Sequence, residues 1–510
     1  QLQEIWAQVL YMDPATIGLE DSFFQLGGDS IAAMKVVSQA HKFNINISVA
    51  DIFRNPILCE LARGEEGASR ELIGAVPPFS LITNQVDQGS LREQISSLCG
   101  SDAEMVEDIY PCTPLQEGLM SLTAKRHGDY VMQAVFELSA HINIPDFKTA
   151  WEVVFATTEI LRTRIVQHEV LGLTQVVLKE ELPWVQHKNL EGYIASDTSQ
   201  EMGLGDVLSR FAIILPENKN KPRCFVWTIH HALYDGWTIP RIMGLVGDCY
   251  NDIAIKRDPP RFSSFVKHIL DVKHSDAESF WRSYLADAEF ATYPQLPSAS
   301  FEPAPDGEIE LKIALNASSK TETTVSTMIR GALALLIHQY TRSADIIFGA
   351  VLSGRNAPVS DVDDIVGPTI ATVPVRVKVD EKQSVVGYLQ QLQQQATDMM
   401  DFEQTGLQRI AGVDENGRRA CAFQTLVAIQ PHEDDQEDAH QLGRWQDSEA
   451  HQGFSSTYAL ILQCFLGRDQ VKIKASFDTR VLGEWQVQHM IRQFLSRRML
   501  PLRFHRHQLL

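Results

Sequence analysis

Several features are missing from this 510-residue sequence. Its seven cysteines are scattered, odd in number and without a CxxC pair, which argues against a disulfide framework and for reduced, buried thiols. There is no HExxH string and no Cys/His cluster, so nothing points to a zinc centre. No apolar run is long enough to span a bilayer. Residues 1–10 lack the basic start and small-residue cleavage site of a secretion signal. Lys and Arg number 45 against 65 Asp and Glu, a formal net charge of −20. A polyanion-binding surface needs clustered base, and basic runs such as Arg497-Arg498 are short. These absences predict a cytoplasmic protein with neither a nucleic-acid nor a membrane partner. An initiator Met is missing too, which reads as a piece excised from something larger.

What is present is the apolar and charged balance of a globular protein, 44% and 22%, over a length that predicts several folding units. Leu2, Ile5, Trp6, Val9 and Leu10 fall on one helix face, and Pro14 is expected to stop that helix. A loop then leads to Gly27-Gly28-Asp29-Ser30, followed by a helical stripe through Ile31, Met34 and Val37. Two short helical segments complete a compact four-helix bundle over 1–63. Polar and Pro-rich breaks, Gly64-Glu65-Glu66-Gly67 and Pro77-Pro78, mark 64–104 as a linker with a helix near 91–98. From 105 the pattern is mixed α and β, in two halves, 105–275 and 276–510. The runs 211–215, 225–229, 346–351, 372–377 and 471–477 read as strands, and 325–336 as a helix.

Two constellations carry chemistry. Ser30 begins a helix behind two glycines, which leave room for a large group to approach. Asp and Ser also favour a helix N-cap for structural reasons alone. His230 and His231 leave the end of an apolar strand in Ile229-His230-His231-Ala232-Leu233-Tyr234-Asp235-Gly236-Trp237. A histidine beside a core strand is commonly a satisfied structural group, and a zinc site would need further ligands at set spacing.

The wider strings add a resemblance. Asp21 to Ile31, with Asp51-Ile52-Phe53 and Pro56 beyond, is similar to the thiolation (peptidyl carrier) domain family over residues 1–63. The histidine string resembles the HHxxxDG motif of condensation domains of non-ribosomal peptide synthetases. Further motifs follow in that family's order: Thr113-Pro114-Leu115-Gln116, Glu159 to Arg164, Ser353-Gly354-Arg355-Asn356, Ile365-Val366-Gly367-Pro368, Phe402 to Leu407, and Phe477-Asp478 with Trp485 in the closing helix. The wording is nearest to fungal members.

The resemblance implies a four-helix carrier bundle followed by a V-shaped, two-lobed α/β fold of the chloramphenicol acetyltransferase type. It implies 4′-phosphopantetheine on Ser30, placed there by a phosphopantetheinyl transferase. It implies His231 in the catalytic position, with the Gly236 N–H assisting the oxyanion. His230 is then structural, and Asp235 is a buried group paired with Arg355 across the lobes. Gln404 departs from the His of many relatives. Upstream modules of the same synthetase would deliver a tethered peptidyl substrate to Ser30. An amine would attack that thioester, and the reading leans towards intramolecular macrocyclisation and release, because no adenylation-like sequence follows. His230 counts for the alternative, elongation onto a downstream carrier, since terminal members often carry Ser there. A free acyltransferase and a non-catalytic recruitment platform are the readings of other classes.

Overall fold

The computed structural model describes residues 1–43, 45–64, 72–82, 87–126, 128–218, 220–253, 259–314, 323–431, 442–446, 457–467 and 470–494. The break at 65–67, the pair Arg497-Arg498 and the tail beyond 494 lie outside them.

The amino-terminal bundle comprises helices Leu2–Leu10, Ser30–Lys42, Val49–Arg54 and Leu58–Gly64. They close on a shared core of Trp6, Phe23, Val36, Ile52 and Leu61, with the Trp6 and Phe23 rings edge to face at 5.1 Å. The first helix ends earlier than Pro14 would dictate. Tyr11 turns left-handed at φ 55° and caps it, and Pro14 instead opens a 3₁₀ turn capped by Asp13.

The predicted linker is only partly one. Helix Gln88–Leu98 packs Leu91 and Ile95 against Val106, Ile109 and Val176. Its apolar stripe makes it a piece of the lobe that follows. Ahead of it, Ile73 pairs with Val359, donating to the Pro358 carbonyl at 3.0 Å and accepting from Ser360 N at 3.0 Å.

The first lobe holds a three-stranded sheet and a five-stranded sheet. At the centre of the latter, strand Cys224–His230 is buried along its whole length, between Val131–Leu138 and Ser209–Ile214. The second lobe is a six-stranded sheet in which Asp345–Leu352 lies between Ala371–Lys378 and Thr425–Pro431. Helices Val325–Thr341 and Val385–Met399 pack their apolar faces on it. The division of the lobes is not a simple cut at 275. Strand Gly443–Trp445 crosses back to pair with Val131–Leu138, and Val359, Val362 and Ile365 belong to the first lobe's core. Such returns are invisible to periodicity, because three residues carry no period.

Candidate active site

His231 is the first residue after the buried strand Cys224–His230, in a 3₁₀ turn, His231–Leu233. Its backbone N donates to the Tyr130 carbonyl at 2.8 Å. Its ring Nδ1 lies 2.8 Å from the Tyr234 carbonyl. A carbonyl only accepts, so Nδ1 carries the proton and Nε2 is the basic nitrogen of the neutral ring. The Tyr234 ring stacks on the imidazole at 4.7 Å. Burial lowers the His231 pKa below the ordinary value, against the raising effects of the Tyr234 carbonyl and the Asp235 charge. The ring is therefore neutral at pH 7.

His230 sits one residue away and is fully buried. Its Nδ1 accepts from Ala232 N at 3.1 Å, and its Nε2 lies 2.8 Å from the Thr123 hydroxyl. Burial, with the neighbouring His231, pushes its pKa down to about 3. Both of its ring nitrogens are engaged, one accepting and one donating.

Asp235 is a crossing point of hydrogen bonds. Its Oδ1 accepts from Trp237 N at 3.0 Å, Thr238 N at 2.9 Å and the Thr238 hydroxyl at 2.8 Å. Its Oδ2 accepts from Thr369 N at 2.9 Å and the Thr369 hydroxyl at 3.2 Å. Arg355 is near but not in hydrogen-bonding contact, with Nη2 3.8 Å from Oδ1. The Arg355 Nη1 instead donates to the Val362 and Ile365 carbonyls at 2.9 and 3.1 Å. Its guanidinium lies 5.7 Å from the centre of the Trp237 ring. The carboxylate is thus held mainly by backbone N–H groups and hydroxyls from both lobes, with the Arg355 charge behind it.

The outlying motifs brace the same turn. Thr113 and Gln116 form a capping box at helix Pro114–Lys125, and Gln116 Nε2 reaches the Ala232 carbonyl at 3.0 Å. Arg162 is bound to Glu107 at 2.5 Å, away from the turn. A Cβ on Gly354 would lie 1.9 Å from the Thr369 carbonyl, at φ +69°, so only glycine fits. That carbonyl also accepts from Gln404 Nε2 at 3.0 Å, which gives the departure from His a structural role. Next to it, burial pushes the Glu403 carboxyl up to about 8, against its bonds to Asn356 and Gln404 and the Arg330 charge.

Ser30 opens helix Ser30–Lys42 behind Asp29, whose side chain accepts from Ala32 N at 2.7 Å. The N-cap is therefore Asp29, which leaves the serine hydroxyl outside the cap. At Gly28 a Cβ would lie 2.4 Å from the Phe23 ring, so the loop packs tightly on the bundle. Ser30 and Met34 share a crevice of about 130 Å³ with Trp237, Ser353, Asn356 and Gln430 of the lobes. Gly236 lies beside it, exposed, with Gln430 Oε1 2.7 Å from where a Cβ would stand. The half-buried Ser30 hydroxyl opens on this crevice, which suits attachment of a phosphopantetheine arm.

The structure thus brings His230, His231, Asp235, Gly236 and Arg355 to one lobe interface and places Ser30 on a crevice that it shares with Trp237. Sequence reasoning did not find Thr369 or Gln430, and it quoted Trp237 in the histidine string without giving it a role. Thr369 directly follows the Ile365-Val366-Gly367-Pro368 motif, so it could have been included. Gln430, near a strand end, carries no local signal. Among the described residues no His/Cys/Asp/Glu group could hold a metal, and no helix is long and apolar enough to cross a membrane.

Comparison with known proteins gives two family matches, a condensation domain over residues 106–500 and a phosphopantetheine attachment site over residues 1–63. Similar curated proteins include nonribosomal peptide synthetase TES of Alternaria alternata, 42% identical over 97% of this chain and 10% of that protein. Another is nonribosomal peptide synthetase 30 of Fusarium vanettenii, 40% identical over 97% of this chain and 9% of that protein. The chain spans about a tenth of the length of these relatives. Among solved structures, one described as a CT mutant superposes with TM-score 0.63 at 19% identity, covering 82% of this chain and 96% of the other. The first condensation domain of the CDA synthetase superposes with TM-score 0.57 at 14% identity, covering 78% and 96%.

Proposed function

From a chain that belongs to the condensation-domain family of non-ribosomal peptide synthesis and carries a phosphopantetheine attachment domain in front, we propose an acyltransferase in which an amine attacks a peptidyl thioester presented by Ser30. The observation that carries this reading is the crevice that Ser30 shares with Gln430 and with Trp237, a residue of the loop that follows the His231 turn. Phosphopantetheine, attached by a phosphopantetheinyl transferase, supplies the thiol that holds the acyl group as an activated thioester. The rest of the work falls to the chain's own residues.

The His231 Nε2 accepts the proton that the amine loses as its nitrogen bonds to the acyl carbon; the C–S bond then breaks, and the proton passes from Nε2 to the departing thiolate, which leaves a free thiol and restores the neutral ring. Burial helps here, because it keeps the ring unprotonated and poised at neutral pH. The Nδ1–H bond to the Tyr234 carbonyl fixes the tautomer and the ring plane. The Gly236 N–H, at the exposed end of the turn, faces developing charge on the acyl oxygen. Asp235 is architectural: with both oxygens saturated by donors from two lobes, it holds the turn rather than moving a proton. Holding donor and acceptor in one walled site replaces tight binding of free substrates with high effective concentration.

The finer reading is intramolecular: the amine belongs to the same peptide, and the product leaves as a ring. The retained His230 favours the alternative, in which the amine sits on a downstream carrier. The two separate cleanly by experiment. Ser30 is loaded with a synthetic peptidyl-phosphopantetheine bearing a free amine, and products are followed by mass spectrometry. A released product lighter by water than the peptide acid supports cyclisation. Retention on Ser30 until an aminoacyl-loaded carrier is added, followed by transfer, supports elongation. Release only as the hydrolysed acid, with neither amide product, would contradict the acyl-transfer proposal.

A further inference from the structure

The bundle that carries Ser30 rests against the lobes at a surface with its own charge pattern. Met34 of helix Ser30–Lys42 meets Ser353, whose hydroxyl lies 3.7 Å from the Met34 sulfur. The same helix packs against the 3₁₀ turn Val362–Asp364, and helix Val49–Arg54 against Val385–Met399. Trp237 and Met400 pack on the rim of the bundle's core. Lys35 and Lys42 are exposed on their helix, while Asp361 and Asp363 are half-buried beside it. The remaining acid of the turn, Asp364, is engaged by Arg241 at 2.5 Å.

We propose that segment 353–369 is a charged seat for the carrier, in which Asp361 and Asp363 receive Lys35 and Lys42 of the helix that Ser30 begins. The proposal rests on the reading of Ser30 as donor and adds what holds it in place. Electrostatics at the seat agree in sign. Burial pushes the Asp363 carboxyl up, and the charges of Arg355, Lys35 and Lys42 pull it back. Burial lowers His41, against which the Ile47 carbonyl and the Asp361 charge act.

The seat is also continuous with the catalytic turn. Its outer turn is tied by Arg355 to the position behind Asp235. Its far end, Thr369, binds Asp235 directly. Its middle, at Pro358 and Ser360, holds Ile73 of the segment leading from the bundle. One stretch of chain therefore receives the carrier, anchors its tether and fixes the turn of His231. Exposed charge pairs act over short range and are screened by salt, so such a seat holds the carrier reversibly.

The test is disulfide trapping in the full chain with Met34→Cys and Ser353→Cys, the link mapped by peptide mass spectrometry. At low ionic strength the 34–353 link is expected to form readily. Adding Lys35→Glu with Lys42→Glu, both exposed on their helix, should slow it about 3- to 10-fold. Salt at 1 M should slow the parent by a similar factor. Asp363→Lys, combined with the two reversals, should recover part of the loss. A rate indifferent to both reversal and salt would overturn the charged seat and leave the donor reading standing on apolar contact alone. No 34–353 link under any condition, either as a disulfide or through a short bis-maleimide bridging the two cysteines, would overturn the seated donor pose itself, and the seat with it.

Discussion

In the first lobe the buried strand Cys224–His230 ends in the turn of His231; in the second, Asp345–Leu352 ends in segment 353–369. Both are interior strands of their sheets, and both run into loops at the lobe interface. The first loop is short and presents a basic nitrogen. The second is long, carries Arg355 and Thr369, and grips the first through Asp235. The difference teaches how a reactive turn is kept in place. A histidine on a three-residue 3₁₀ turn has little local structure of its own, so it is held by its own lobe through Tyr130, Gln116 and Tyr234 and the loop is clamped from the other lobe at Asp235.

The comparison is broken most directly at Asp235. Asp235→Ala leaves Thr238 and Thr369 without their shared acceptor and the buried Arg355 without its nearby counter-charge, and should cost about 3–5 kcal/mol in chemical denaturation. Asp235→Asn, which keeps one acceptor oxygen, should cost less. A variant as stable as the parent would show that the lobes do not depend on this crossing.

A second effect separates the two histidines. A depressed folded-state pKa means that the unfolded chain binds more protons below pH 6.5, so stability is lost as pH falls through that value. For His230, at about 3, the loss between pH 6.5 and 4.5 is about 2–3 kcal/mol. His230→Gln should show a correspondingly flatter acid limb in urea titrations at the two pH values. Equal limbs would mean that His230 is solvated in the folded protein.

Smaller effects sharpen the picture. Thr369→Val removes a hydroxyl that accepts no apolar replacement well: it donates to the Ser353 carbonyl at 2.8 Å and meets Asp235 at 3.2 Å. The expected cost is about 1–2 kcal/mol by thermal unfolding, with the Asp235 pairing to Thr369 N retained. Gly236→Ala places a methyl 2.7 Å from Gln430 Oε1. That side chain is flexible, so a several-fold drop in turnover with unchanged stability is expected, partly relieved by Gln430→Ala. No relief would locate the clash elsewhere.

Much of this organisation was legible in the sequence. The helix stripe of Leu2 to Leu10 and the strands at 211–215 and 225–229 follow from period and spacing, and the order of motifs from the resemblance. His230 and His231 could be singled out as a pair, and their different environments followed from the resemblance. What escaped depends on distance in space rather than along the chain. The return of Gly443–Trp445 to the first sheet is too short to carry a pattern. The partners of Asp235 are two N–H groups and a hydroxyl within three residues, plus Thr369 more than a hundred residues away. Backbone donors leave no trace in residue identity, which is why Arg355 looked like the principal partner.

The central claim is that Nε2 of a half-buried, neutral His231 takes the proton of an amine that attacks the thioester carried by Ser30. Single-turnover transfer from acyl-loaded Ser30, followed against pH in the parent and in His231→Ala, tests it most directly. The parent rate should be level above pH 6.5 and fall on the acid side at a midpoint below the ordinary histidine value. The variant should load normally, fold normally and transfer about 10²- to 10⁴-fold more slowly, without that acid limb. A variant that transfers at the parent rate, or keeps the parent's pH profile, would contradict the account.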